Sequence, residues 1–217
     1  KDYSYGSSGT PTQFALQEAL TKLEGGDACL LVPSGLAAIT LTLLATLKSG
    51  DHVLIPDSVY GPTRRFCNKE LTRFGVETTY YDPLIGADIV SLFQKNTALV
   101  FTESPGSLTF EVQDIPAIAQ AAKEKNILVA MDNSWATPLH FQPFEHGVDI
   151  SIQAITKYIA GHSDLILGAV ICKQEQLKSL YDRFRNYGFA TSPSDCALAL
   201  RGLRTLGARL PHHAASA

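Results

Sequence analysis

The sequence predicts an α/β domain, a mainly parallel seven-stranded sheet with helices on both faces. Three observations carry this expectation. Seven apolar runs alternate with segments of helical period, the pattern left by successive βαβ units. Several of the runs are nearly continuous in Val, Ile, Leu and Ala, which suits strands covered on both faces. The length of 217 residues, with 45% hydrophobic and 18% charged, supports a single domain with a sizeable core and excludes disorder.

In chain order, residues 11–23 read as a helix and 28–32 as a strand. Ser34 or Gly35 can cap a helix over 35–47, because a serine side chain at this position accepts from a free backbone N–H of the first turn. Residues 52–55 form a strand, 62–74 a helix, and 76–80 and 98–102 two further strands. Asp114 caps a helix over 115–125, where Pro116 is tolerated because the first turn needs no donor there. Strands at 127–131, 149–152 and 165–172 and a helix at 173–187 complete the pattern. Residues 208–217 are poor in structure signals, and the pair His212-His213 reads as solvated rather than metal-binding.

Charge and cysteine usage narrow the function. Eighteen Lys and Arg against 21 Asp and Glu give a net charge of -3, which provides no basic field for nucleic acid and no polybasic membrane patch. The longest apolar-leaning run, residues 36–47, is too short for a bilayer and carries Thr40, Thr42 and Thr46. Cys29, Cys67, Cys172 and Cys196 are scattered without a CxxC pair, so neither a zinc site nor a disulfide framework is expected. Cys29 and Cys172 sit in apolar runs as buried thiols, and a reducing cytoplasm fits best. The opening Lys1-Asp2-Tyr3-Ser4-Tyr5-Gly6 has no apolar signal core, and a chain that begins without Met can be a portion of a longer one.

Sites in open parallel sheets form beyond the carboxyl ends of the strands, so the residues following each strand carry the argument. After 28–32 comes Pro33-Ser34-Gly35-Leu36, a turn into a helix whose free N–H groups and dipole can hold an anion or can simply be a capped helix start. After 127–131 comes Asp132-Asn133-Ser134-Trp135, where the acid serves a crevice or caps the next segment. After 149–152 comes Gln153-Ala154-Ile155-Thr156-Lys157. A lysine there either snorkels to water or is desolvated, and desolvation lowers its pKa and makes it nucleophilic. Taken together, an anion cradle, an acid and a nucleophilic lysine are the three needs of pyridoxal 5'-phosphate (PLP). Other templates fail: GxGxxG, GxxxxGK[ST] and HExxH are absent, and Gly161-His162-Ser163-Asp164 is followed by Leu165 where a nucleophile elbow requires Gly.

The same residues make the chain resemble the Cys/Met-metabolism family of PLP enzymes, with a β-lyase character. The resemblance runs through Gly9-Thr10-Pro11-Thr12, Leu23-Glu24-Gly25-Gly26, Gly50-Asp51-His52-Val53, Glu103-Ser104-Pro105-Gly106-Ser107, Met131-Asp132-Asn133, Thr156-Lys157-Tyr158, Gly161-His162-Ser163-Asp164 and Arg201-Gly202-Leu203-Arg204-Thr205-Leu206-Gly207. It implies the type I PLP fold, the aspartate-aminotransferase-like large domain. It implies Lys157 as the lysine that holds PLP covalently, Asp132 as the partner of the pyridine nitrogen, and Tyr60 as the ring-stacking tyrosine, which is also a catalytic group. Gly35 and Leu36 match the backbone phosphate donors and Thr156 a hydroxyl donor. Ser134 lies near the ring, and Tyr5 reaches the phosphate of a neighbouring subunit.

The resemblance further implies a small sulfur-containing amino-acid substrate, β-elimination of cystathionine, and a homo-oligomer, a tetramer built as a dimer of dimers; a γ-lyase or γ-synthase of the same family and a non-catalytic PLP-binding fragment or scaffold are the alternatives. Its domain reading is an N-terminal segment over 1–25 that touches the neighbouring subunit, a PLP-binding domain over 26–207, and at 208–217 the start of a connection to a C-terminal domain. The chain departs from the family at Ser7 and Ser8, where arginines are usual, so a bidentate phosphate clamp is missing. Ala154 stands where many members have Ser.

Overall fold

The computed structural model describes Tyr5 and residues 9–217. Helix α1 (Pro11–Glu24) leads into strand β1 (Ala28–Val32), and α2 (Gly35–Thr46) into β2 (His52–Pro56). Helix α3 (Gly61–Phe66) widens into a π turn (Cys67–Leu71) before β3 (Glu77–Tyr81). A 3-10 turn (Gly86–Leu92) precedes β4 (Thr97–Glu103), then α4 (Ile115–Lys123), β5 (Leu128–Asp132), the short α5 (Thr137–His140) and a 3-10 turn (Pro143–His146). Strands β6 (Ile150–Gln153) and β7 (Gly168–Cys172) are followed by α6 (Gln174–Asn186), α7 (Pro193–Leu203) and α8 (Leu206–Ser216).

The seven strands form one sheet in the order β1-β7-β6-β5-β4-β2-β3. β2, β3, β4, β5 and β6 pair in parallel, and β7 runs antiparallel to both β1 and β6. The expectation of a mainly parallel sheet buried on both faces holds. Along β1, Leu30 and Val32 enter one core while Cys29 and Leu31 enter the other. Along β4, Leu99 and Phe101 face the first side and Val100 the opposite one. This period-2 division between two apolar layers explains the continuous apolar runs. Helices α2 and α6 cover the first face. The other is covered by α1, α7 and α8 towards β1 and by α4 towards β5. Each fully buried Leu or Ile in these layers contributes about 1.5–3 kcal/mol.

Ser34 and Asp114 cap α2 and α4 through Ala37 N–H (3.0 Å) and Ala117 N–H (3.1 Å). The buried α2 tolerates its threonines because the hydroxyls of Thr42 and Thr46 donate back to the carbonyls of Ala38 and Thr42. All four cysteines are buried, and none is in a disulfide among the described residues. Among the described residues, no helix is long and apolar enough to cross a membrane.

Three expectations are corrected. Residues 206–216 form helix α8, whose Leu206 and Leu210 join the core beside α1; Pro211 inside it masks the helical signal. Helix α7 was not expected either, although Ser192 caps it and Pro193 opens its first turn. The strand expected over 165–172 begins only at Gly168, after a loop.

Candidate active site

The carboxyl ends of β4, β5 and β6 and the N-terminus of α2 open on one cleft of about 840 Å³. Its lining includes seven of the eight residues singled out above: Gly35, Leu36, Tyr60, Asp132, Ser134, Thr156 and Lys157. Tyr5 does not line it and is 74% exposed. Ser7 and Ser8 lie outside the described residues.

The start of α2 is an anion cradle by construction. Ala37 and Ala38 bond to Ser34, whereas the N–H groups of Gly35 and Leu36 have no partner among the described residues. Those two donors sit at the positive end of the helix. Glycine is required at 35 by proximity: a Cβ there would lie 2.6 Å from the Ala154 methyl and 3.1 Å from its Cα. At Gly168 a Cβ would fall 2.2 Å from the Ser34 carbonyl oxygen. Two glycines therefore let the helix start press against β7 and the residue that follows β6.

Asp132 ends β5 and pairs in register with Glu103 at the end of β4. Both are almost fully buried. The Asp132 Oδ1 accepts from Ser134 N–H at 3.0 Å. Burial raises its carboxyl above the usual range, against the opposing bonds from Ser134. The Glu103 carboxyl is pushed up to about 7, first by burial and then by the Asp132 charge. Its Oε2 accepts from Tyr60 N–H at 2.9 Å and its Oε1 from the Ser107 hydroxyl at 2.5 Å. Two adjacent carboxyls out of water favour retention of a proton between them.

Ser134 ties the two strand ends together, because its Oγ accepts from Ala154 N–H at 2.7 Å. Thr156 both donates to the Leu167 carbonyl (3.2 Å) and accepts from its N–H (3.0 Å), so its hydroxyl hydrogen points at the chain itself. Lys157 is not the desolvated residue considered from sequence. It sits in a turn four residues after β6 ends, and its side chain is exposed in the cleft. Its Nζ has no hydrogen bond or ion pair among the described residues. Tyr60, at the start of α3, is 45% exposed, with its backbone fixed by Glu103.

Glu103, Trp135, Arg209 and His213 also line the cleft, although the sequence does not single them out as site residues. Glu103 ends a strand as Asp132 does, so the same strand-end rule applies to it equally. Trp135 stacks on Tyr158 at a centroid distance of 5.8 Å. Arg209 and His213 come from α8, the helix that was not expected. Arg209 packs over Gly161 and donates to the carbonyls of Gly202 (2.9 Å) and Ile159 (3.3 Å).

The model of the Cys/Met metabolism PLP-dependent enzymes matches residues 1–217, and the chain belongs to that family. It is 49% identical over 213 residues to the L-alanine/L-glutamate racemase of Wolbachia pipientis wMel, covering 98% of this chain and 52% of that protein. It is 44% identical over 211 residues to cystathionine beta-lyase MetC of Escherichia coli (strain K12), covering 96% and 53%. The solved structure of cystathionine gamma synthase from Xanthomonas oryzae pv. oryzae, in complex with aminoacrylate and cysteine, superposes with a TM-score of 0.91 at 33% identity, covering 96% of this chain and 54% of that one. The chain spans about half the length of the curated relatives it matches. The fold is the type I PLP fold, and PLP is the family's cofactor.

Proposed function

We propose that this member of the Cys/Met metabolism PLP-dependent family is the cofactor-binding part of a cystathionine β-lyase, which converts cystathionine and water to homocysteine, pyruvate and ammonia. The observation that carries the reading is the segment Pro105-Gly106-Ser107, whose Ser107 lines the cleft. A Cβ at Gly106 would lie 2.6 Å from the Ser58 hydroxyl oxygen, so only glycine fits. That fit lets Ser107 N–H bond to the Ser58 carbonyl (2.9 Å) and its hydroxyl bond to Glu103. Ser107 of this β-type sequence thus lies in the cleft lining, bonded to the Glu103 carboxyl beside Asp132. Identity to a cystathionine beta-lyase along almost the whole chain supports the same reading.

The residues present fit the cofactor. The partnerless N–H groups of Gly35 and Leu36 suit its phosphate, the free amine of Lys157 its carbonyl carbon, and the buried Asp132 its ring nitrogen. Tyr60 and Ser134 border the ring's space, and Thr156 contributes once its hydroxyl turns from Leu167. Bound PLP supplies an electron sink for negative charge developing at the substrate Cα. Lys157 takes the Cα proton as general base. Asp132 keeps a proton at the ring nitrogen, and Glu103 fixes Tyr60 through its backbone. The exposed Tyr5 completes a neighbouring subunit's phosphate site in a symmetric dimer, two of which make a cytoplasmic tetramer.

Borohydride reduction after PLP uptake should place the label on Lys157 in peptide mapping. A label elsewhere, or none, refutes the cofactor assignment. Incubation of the full-length protein with cystathionine should yield pyruvate and homocysteine. Mainly 2-oxobutyrate and cysteine would instead make it a γ-lyase. The relative named as a racemase supplies a third arm, in which L-alanine loses optical activity without elimination.

A further inference from the structure

We propose that Glu24 is a positioning residue for the cleft: from beneath, its buried carboxylate locks the end of β5, which carries Asp132, to the end of β6, which leads into the Lys157 turn. The inference rests on the proposed cofactor site. Glu24 is the last residue of α1 and has no exposure to solvent. Its Oε2 accepts from the Ser151 hydroxyl (3.0 Å) and from the Asn133 amide (3.5 Å), and its Oε1 accepts from the Gln153 amide (2.5 Å). Gln153 and Ser151 belong to β6, and Asn133 directly follows Asp132. The same Gln153 nitrogen donates to the Asn133 carbonyl at 3.0 Å, and Asn133 N–H donates to the Ile152 carbonyl at 2.9 Å.

The carboxylate thus gathers donors from both strand ends, and one of them bridges back to the residue beside Asp132. No cation pairs with it among the described residues. An unpaired buried carboxylate is a poor stabiliser, and an apolar side chain would serve a merely structural role better. Burial pushes the Glu24 carboxyl up to about 7, against the three hydrogen bonds. What the group provides is an acceptor that satisfies three donors at once, and an amide cannot do this in the same orientation.

Trp135 is a built-in reporter. It is the single tryptophan of the chain, it lies two residues beyond Asn133, and it stacks on Tyr158, the residue after Lys157. The stacked pair therefore spans the gap that Glu24 is inferred to set.

The test is Glu24→Gln. The new amide places N–H groups opposite the Gln153 amide, which must turn and so releases the Asn133 carbonyl. PLP binding to the cofactor-free protein should weaken by about tenfold or more, the effect of losing one charge-assisted bond. Trp135 emission in the folded, cofactor-free variant should move as the Tyr158 stacking loosens. A PLP affinity within about twofold of the parent, together with unchanged Trp135 emission, overturns the proposal whatever happens to the unfolding midpoint, because it makes Glu24 a packing residue. If the parent itself takes up no PLP, the proposed function fails separately. The Trp135 emission then decides alone, and an unchanged spectrum overturns the role of Glu24.

Discussion

Gly35→Ala tests the cradle directly. On propensity alone the change should help, since alanine is favoured over glycine in helices by about 1 kcal/mol. Geometry reverses the sign. The added methyl would lie 2.6 Å from the Ala154 methyl and 3.1 Å from its Cα. Ala154 cannot easily retreat, because its N–H is held by Ser134 and its carbonyl accepts from Lys157 N–H at 3.0 Å. Overpacking of this kind costs about 1–3 kcal/mol. The net loss should be up to about 2 kcal/mol, or up to roughly 0.8 M in the urea midpoint for a slope of about 2–3 kcal/mol/M. The clash also turns the two partnerless N–H groups away, so PLP affinity should fall with it. Equilibrium urea unfolding and PLP titration of the cofactor-free protein measure both. The Ala154→Gly change removes the nearest atom, so the double variant should recover part of the loss as a positive coupling. A Gly35→Ala protein as stable as the parent, with unchanged PLP affinity, would show that α2 does not abut the residue following β6.

Asp132→Asn should retain the fold and some bound PLP but lose turnover by about a thousandfold or more, on the order of 4 kcal/mol in the barrier, because an amide cannot keep the ring nitrogen protonated. Activity within tenfold of the parent makes Asp132 a cap for the segment after β5. The pH dependence of stability should also be unusual for an acid-rich cluster. The carboxyls of Glu24 and Glu103 rise from the ordinary 4.5 to about 7 in the folded chain, so the native state binds more protons than the unfolded one across that window. Stability without cofactor should therefore fall as pH rises from about 4.5 to 7, by up to about 1.4 kcal/mol per pH unit for each group. The raised carboxyls of Asp132 and Asp149 act in the same sense, and His52, lowered by burial, acts against them. Unfolding midpoints that climb over this window would contradict the burial of the pair.

What the sequence reveals here depends on how far apart cooperating residues lie. Strands and most helices were legible because their causes are local: Ser34 and Asp114 cap the turns they precede, and runs such as Ala28–Val32 divide between two apolar layers residue by residue. Asp132 and Lys157 were legible because each follows a strand, and strand ends in a parallel sheet converge. Glu103 satisfies the same rule, and the Gly and Ser of the motif that contains it draw attention away from the acid. Glu24 was not accessible in this way. Its partners are Asn133, Ser151 and Gln153, and nothing near residue 24 signals a donor that far along the chain. Arg209 was hidden differently, since Pro211 argues against the helix that presents it. The exposure of Lys157 could not be read from type or spacing, because it depends on how the turn after Gln153 is oriented.

The antiparallel strand β7 has a consequence for synthesis. Strand β1 is synthesised well before β7, its only neighbour in the sheet among the described residues, where Val32 pairs with Gly168 and Ala28 with Cys172. Until β7 has been translated, β1 is an unpaired apolar segment, and the helix start at Ser34 lacks the β7 backbone at Gly168 on which it seats. Strands β2 to β6 can assemble as they appear, since each pairs with strands close to it in chain order. Long-range pairing of this kind is slow to form and leaves apolar surface open to association while it waits. A nascent chain stalled before residue 168 would carry Asp132 and Lys157 without a formed cradle between them, and it would be a client for chaperones rather than a binder of its cofactor.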